Sequence, residues 1–289
     1  MATQSGERLA RELGFEQFPV DPIGIAQAHK IIVEAKSQPG VSGMLIFAGD
    51  KVALLYSTTL GNEGFERFSV AHELGHYFLP GHPDEIIRDG GQHVSRAGFS
   101  QGATSIEIEA DHFAAGLLMP SLLVRRLLSD CQPGLQSVHL LERRAKVSLT
   151  AAAIRVAQCA EYPVGVVVTQ GEEVSYGFFS ESFKRLGKRV FLRKGDRIPN
   201  DVETLVFNRS PSNVTDRKSV TSETTLGAWF NNGSDIVLDE EIIGLGRYGY
   251  TLTILSSEAL LTDEDERDEA LEEEDALKRS WTPRFAYGR

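Results

Sequence analysis

His72-Glu73-Leu74-Gly75-His76 places two histidines and a glutamate within five residues, the spacing in this sequence that most directly implies a chemistry. On a helix, residues four apart share a face, so two imidazoles can meet one metal ion at the ~2.0–2.1 Å usual for zinc. Zinc lowers the pKa of a water molecule from ~15.7 to about 7, and a carboxylate beside it can take the proton released. The chemistry offered is metal-assisted hydrolysis of a peptide bond, with His72 and His76 on the metal and Glu73 as the base. Such a short pattern also arises by chance on solvated helix faces, so its flanks matter. Gly61 and Asn62 supply a turn and an N-cap, Phe65, Phe68, Ala71, Leu74 and Phe78 recur at helical spacing, and Pro80-Gly81 closes the segment. A buried helix carrying these polar groups needs partners for them, and a metal supplies them.

A catalytic zinc site takes three protein ligands and keeps a fourth position open. His82, six residues after His76, has the metzincin spacing, but Leu79 stands where that pattern turns on a glycine, and no Met-turn follows. His82 reads better as an exposed loop histidine. Glu107 is the preferred third ligand. Around it Ile106, Ala110, Phe113, Ala114, Leu117 and Leu118 follow a helical period, so a second helix packs beside the first. Glu107 and Asp111 share one face of that helix. Glu107 can ligate the metal while Asp111 accepts the free N–H of a ligand imidazole, a contact that fixes the tautomer. The spacing resembles that of gluzincins. Glu109 turns to another face and reads as a surface carboxylate.

Taken in order, Pro19-Val20-Asp21-Pro22-Ile23 with Ile25-Ala26, Ser42-Gly43-Met44-Leu45, Arg67 through His76, Glu107 through Asp111, Phe113-Ala114-Ala115 and Leu117-Leu118-Met119-Pro120 resemble the ImmA/IrrE family of bacterial metallopeptidases. Val147-Ser148-Leu149 with Ala152-Ala153-Ile154-Arg155 resembles the helix-turn-helix that follows the peptidase in that family. The resemblance implies an α+β chain: a zincin-like metallopeptidase domain at 1–125, a helix-turn-helix unit at 126–161, and a GAF- or PAS-like domain at 162–258. It also implies a substrate, a helix-turn-helix transcriptional repressor whose cleavage releases stress-response or mobile-element genes.

Zinc is the default metal for two histidines and a carboxylate, and manganese or iron(II) suits the same donors. The 289 residues carry 41 acidic against 30 basic side chains, a net charge of −11, which opposes non-specific attraction to nucleic acid. Direct DNA binding would need a local basic patch and is not favoured. With 41% apolar and 25% charged residues the chain reads as globular rather than disordered. Residues 1–14 read as a polar, amphipathic helix rather than a signal peptide, and no apolar run approaches the ~20 residues that span a bilayer. A cytoplasmic location is expected, and Cys131 and Cys159 are expected as free thiols. Acidic charge concentrates in a tail at 259–289, in Asp263-Glu264-Asp265-Glu266 and Glu272-Glu273-Glu274-Asp275. That tail reads as solvated.

The elements that must position the site follow from the same signals. Asp21 as N-cap with Pro22 starts a helix expected to reach about Glu34. Residues 43–48 and 52–56, around Gly49-Asp50, read as a hairpin that could supply an edge strand to an extended substrate. Residues 84–104, rich in glycine, read as a long loop over the cleft carrying a solvated His93. Two short helices, 137–145 and 149–159, flank Lys146-Val147-Ser148, with Ser148 as N-cap. Arg143, Arg144, Lys146 and Arg155 give them local positive charge, for which partner docking or scaffolding is preferred to DNA recognition. After Glu161-Tyr162-Pro163 the pattern turns to β at 164–169, 172–178, 189–192, 236–238 and 248–255, with helical stretches at 183–186 and 226–230.

Overall fold

The structure is a computed structural model that describes residues 1–37, 41–96 and 105–257, so the acidic tail, Gly98 and Gly102 lie outside the described residues. Helix α1 (Ala2–Glu12) is followed by α2 (Pro22–Ala28), whose cap Asp21 accepts from the Ile23 N–H at 3.1 Å. This second helix stops at Ala28 and does not reach Glu34. Lys30 turns the chain with a φ of 60°, and the β-branched Ile32 and Val33 then enter strand β1 (Ile32–Lys36).

Strands β2 (Val41–Ala48) and β3 (Lys51–Ser57) form the expected antiparallel hairpin, and β1 joins β3 in parallel. Helix α3 (Glu63–Phe78) follows, with the Asn62 side chain accepting from the Phe65 N–H at 3.1 Å. The stretch expected as a long loop instead holds a helix, α4 (His82–Arg88), and a strand, β4 (Gln92–Arg96); residues 97–104 lie outside the described residues. Strand β4 pairs antiparallel with β2, which gives the order β1-β3-β2-β4. The hairpin is therefore internal. On this side of the sheet β4 is the edge strand.

Helix α3 packs against β2 and β3 on one side and α5 (Ser105–Leu118) on the other. The two helices approach closely at Gly75, where an added Cβ would lie 3.0 Å from Ala110 Cα. On the far side of α5 lies α1, pressed so near that neither Gly6 nor Gly116 has room for a side chain. The amphipathic N-terminal segment thus buries one face on the helix that bears Glu107.

Next come α6 (Ser121–Leu128), α7 (Leu135–Ala145) and α8 (Leu149–Cys159). The turn between the last two runs as expected: Lys146 is left-handed and Ser148 accepts from the Ala151 N–H at 3.2 Å. The charge reading changes. Arg155 is buried, donating to the Met119 carbonyl at 2.8 Å and pairing with Glu7, while Lys146 pairs with Glu63 at 2.9 Å. Along α8 only Gln158 is exposed, whereas a helix that reads a DNA groove must offer an open face.

The remainder is α+β: β5 (Val164–Gln170), β6 (Glu173–Phe179), α9 (Glu181–Lys184), α10 (Glu203–Asn208), α11 (Pro211–Thr215), β7 (Ser219–Thr225), α12 (Leu226–Phe230), β8 (Val237–Gly244) and β9 (Thr251–Ser256). The strands form one antiparallel sheet in the order β6-β5-β9-β8-β7. One face, with Val164, Val166, Val168, Leu252 and Ile254, shares the core that contains α7 and α8. The other face, with Val167, Leu238 and Leu255, packs on Phe183, Leu205, Leu226 and Trp229. Residues 189–192 form no strand. Strand β7 was not expected, because Ser219 through Thr225 is polar and mostly solvated at the sheet edge. Both cysteines are free thiols, and no described helix is long and apolar enough to cross a membrane.

Candidate metal centre

From Ser69 to His76 every residue of α3 is buried, so its polar side chains must find partners inside the protein. Histidines 72 and 76 stand one turn apart with their Nε2 atoms 3.1 Å from each other. From α5, Glu107 reaches both: Oε2 lies 3.4 Å from His72 Nε2, and Oε1 lies 3.4 Å from His76 Nε2. A fourth donor comes from the edge strand. His93 Nε2 is 2.9 Å from Glu107 Oε1, and its ring centroid is 4.0 Å from that of His76. One ligand atom from each of His72, His76, His93 and Glu107 can be chosen so that all lie within 4.8 Å of one another.

These separations suit a single ion. Ligands at ~2.0–2.1 Å in tetrahedral geometry are about 3.3 Å apart, close to the four contacts above. The outward nitrogens are also engaged. His72 Nδ1 donates to Asp111 Oδ1 at 2.8 Å, the tautomer that frees Nε2 for an ion. His76 Nδ1 lies 3.2 Å from His82 Nδ1, and His82 Nε2 is 3.6 Å from Glu109 Oε2. His82 is buried, which corrects its reading as an exposed loop histidine, and its ring stands behind His76, outside the four-donor cluster. His93 is likewise corrected, from a solvated loop histidine to a member of the cluster. Glu109 remains half-exposed.

Glu73 is fully buried beside the donors. Its Oε1 accepts from Ser95 Oγ at 2.6 Å, while Oε2 is buried with no hydrogen-bond partner. Burial pushes the Glu73 carboxyl up to about 7, against the opposing pull of His72, Ser95 and His93. An added Cβ at Gly43 would fall 2.9 Å from Glu73 Cγ and 3.0 Å from Cδ, so only glycine leaves this carboxylate its place. Gly43 and Ser95 are register partners across β2 and β4.

The cluster divides its charge unevenly. Burial disfavours the cation at His72, but Asp111 and Glu107 accept from it and hold its pKa up at about 10. Burial pushes His76 down to about 4, with Glu107 only partly compensating. Burial also opposes the charge on Glu107, yet hydrogen bonds from His72, His76 and His93 hold it far below the usual carboxylate range. Such a concentration of displaced protons is what a cation would replace.

Sequence spacing reached His72, Glu73, His76, Glu107 and Asp111, and the structure brings all five together. It did not reach His93, Ser95, Gly43 or the role of His82. The alternation in Gln92-His93-Val94-Ser95-Arg96 was the available signal, because residues two apart share a strand face. Flanking glycines masked it.

Residues 56–157, from the end of β3 through nearly all of α8, match the family described as the IrrE N-terminal-like domain, peptidase family M78. None of the curated proteins matches the chain. Among solved structures, a Mycobacterium tuberculosis transcriptional regulator is similar, with a TM-score of 0.57 and 14% identity over 89% of this chain and 76% of that one. At that identity the likeness is one of fold.

Proposed function

We propose that this protein, whose residues 56–157 match the IrrE N-terminal-like domain, is a cytoplasmic metal-dependent endopeptidase of the ImmA/IrrE type that cuts a helix-turn-helix repressor and so releases stress-response or mobile-element genes. The observation that carries this reading is Glu73: a fully buried carboxylate with a pKa near 7 and one unpartnered oxygen, set against a cluster of metal-ligating atoms. His72, His76 and Glu107 would hold the metal, zinc by default, with manganese or iron(II) suiting the same donors. When bound, the metal supplies Lewis-acid polarisation of the scissile carbonyl and a more acidic water. Glu73 takes the proton from the attacking water and passes it to the leaving amine, tasks that a pKa near 7 suits in both directions. Because Ser95 occupies Oε1, the proton is carried on Oε2. Asp111 and His82 hold the imidazoles of His72 and His76 in orientation. The outer edge of β4, unpaired among the described residues, offers main-chain hydrogen bonds to an extended peptide.

A second reading, a DNA-binding regulator using α7 and α8 as a helix-turn-helix, is weakened by the burial of α8. The GAF- or PAS-like reading of residues 162–258 draws support from the five-stranded antiparallel sheet with helices on one face, and a sensory role for it belongs to the proposal. The test is to incubate the purified, metal-loaded protein with a panel of helix-turn-helix repressors from the same organism. Chelator-sensitive cleavage of one of them, lost in Glu73→Gln, is expected. Intact repressors throughout, with metal content verified, would overturn the proposal.

A further inference from the structure

We infer that His93 is a fourth protein ligand, so that the resting metal is enclosed by the chain and the site is latent until β4 draws His93 away. The ligand assignment stands on geometry alone; the latency rests on the peptidase reading above.

Catalytic metal sites keep one position open, and sites with four protein ligands are closed. Here a fourth donor lies close enough to the other three to take up the position that a catalytic site would leave open. His93 Nε2 belongs to the same group of mutually close atoms as the other three, and its 2.9 Å approach to Glu107 Oε1 is slightly shorter than the 3.1–3.4 Å of the remaining contacts. The four ligands are not held equally. His72, His76 and Glu107 stand on two long helices packed against each other, and the His72 and His76 side chains are 8% and 0% exposed. His93 stands on a five-residue strand that, among the described residues, is paired on one side only, with its side chain 16% exposed. Of the four it is the ligand whose supporting element is easiest to shift.

The same strand carries the hydroxyl that holds Glu73, since Ser95 is two residues from His93 on the same face. A displacement of β4 would therefore free a coordination position and relax the grip on the base in one movement. An extended peptide adding to the outer edge of β4 would act on that element. Substrate entry and opening of the site are coupled through one strand.

The experiment counts imidazoles on zinc in the full-length protein by X-ray absorption, alongside zinc affinity and repressor cleavage. Three imidazoles are expected in the wild type and two plus water in His93→Ala, with affinity reduced at least ~10-fold and cleavage accelerated. The wild-type count needs no variant to fold. A wild-type count of two would overturn the ligand assignment and leave His93 as a hydrogen-bond partner of Glu107. A count falling from three to two with slower or unchanged cleavage would overturn the latency alone. If neither protein cleaves any repressor while the count still falls, the ligand assignment holds and the peptidase reading fails.

Discussion

Gly43→Ala tests the site through Glu73, the residue whose side chain an added Cβ at Gly43 would meet first. The new methyl would sit 2.9 Å from Glu73 Cγ and 3.0 Å from Cδ, and closer still to Oε1. Ordinary carbon contacts lie at about 3.5–4.0 Å, so the carboxylate must retreat by about 1 Å. Glu73 is fully buried, and any retreat strains the 2.6 Å bond from Ser95. A displacement of ~1 Å in a catalytic group costs on the order of 10²-fold in rate. Overpacking of this kind destabilises by roughly 1–3 kcal/mol, which leaves the protein folded. The measurements are repressor cleavage under single-turnover conditions, zinc stoichiometry and thermal unfolding. Cleavage should fall about 10²-fold while zinc remains bound at wild-type stoichiometry. A folded, zinc-loaded Gly43→Ala protein cutting at the wild-type rate would refute the role given to Glu73, and loss of zinc would show that the clash is not confined to that carboxylate.

Glu73→Gln should lower cleavage at least ~10²-fold with metal retained, because it removes the base but keeps the shape. In the metal-free protein the raised Glu73 pKa means that the folded chain keeps a proton the unfolded chain has lost, so stability falls as pH rises from 4.5 through about 7, by roughly 3 kcal/mol. Urea denaturation of metal-free Glu73→Gln should lack that loss; an identical pH slope in both proteins would count against it. Ser95→Ala removes a donor that favours the charged carboxylate, so the acidic limb of the cleavage pH profile should move to higher pH, and an unmoved limb would contradict the contact's role. In metal titrations Glu107→Ala should abolish or severely weaken binding, whereas Asp111→Ala and His82→Ala should each cost roughly 10–100-fold; full loss on removing His82 would restore it as a ligand.

What could be read from sequence was what a helix fixes locally. His72 with His76, and Glu107 with Asp111, share faces by spacing alone, so their convergence required only that two helices pack. Gly49-Asp50 likewise marked its hairpin without reference to the rest of the fold. His93 and Ser95 resisted because a strand's face acquires meaning only once its neighbour is known, here β2, with Gly43 opposite Ser95. The charge of Arg155 was legible but its exposure was not, since its partner Glu7 lies 148 residues away. His82 carries a ligand's spacing, and its place behind His76 depends on α4 beginning at that residue.

Glu241 of β8 accepts from the Leu135 N–H at 2.6 Å and so satisfies the start of α7 from 106 residues along the chain. Together with the core shared by α8, β5 and β9, this makes the change of pattern near residue 161 a poor place to exchange genetic segments. A recombinant that joined a different second half at that point would open the first turn of α7 and uncover Val164, Val166 and their neighbours unless the newcomer brought both a matching acid and a matching apolar face. The unit that packs around one core is therefore longer than the unit marked by periodicity. Changes in the second half should more often arise by substitution within it than by replacement of the whole.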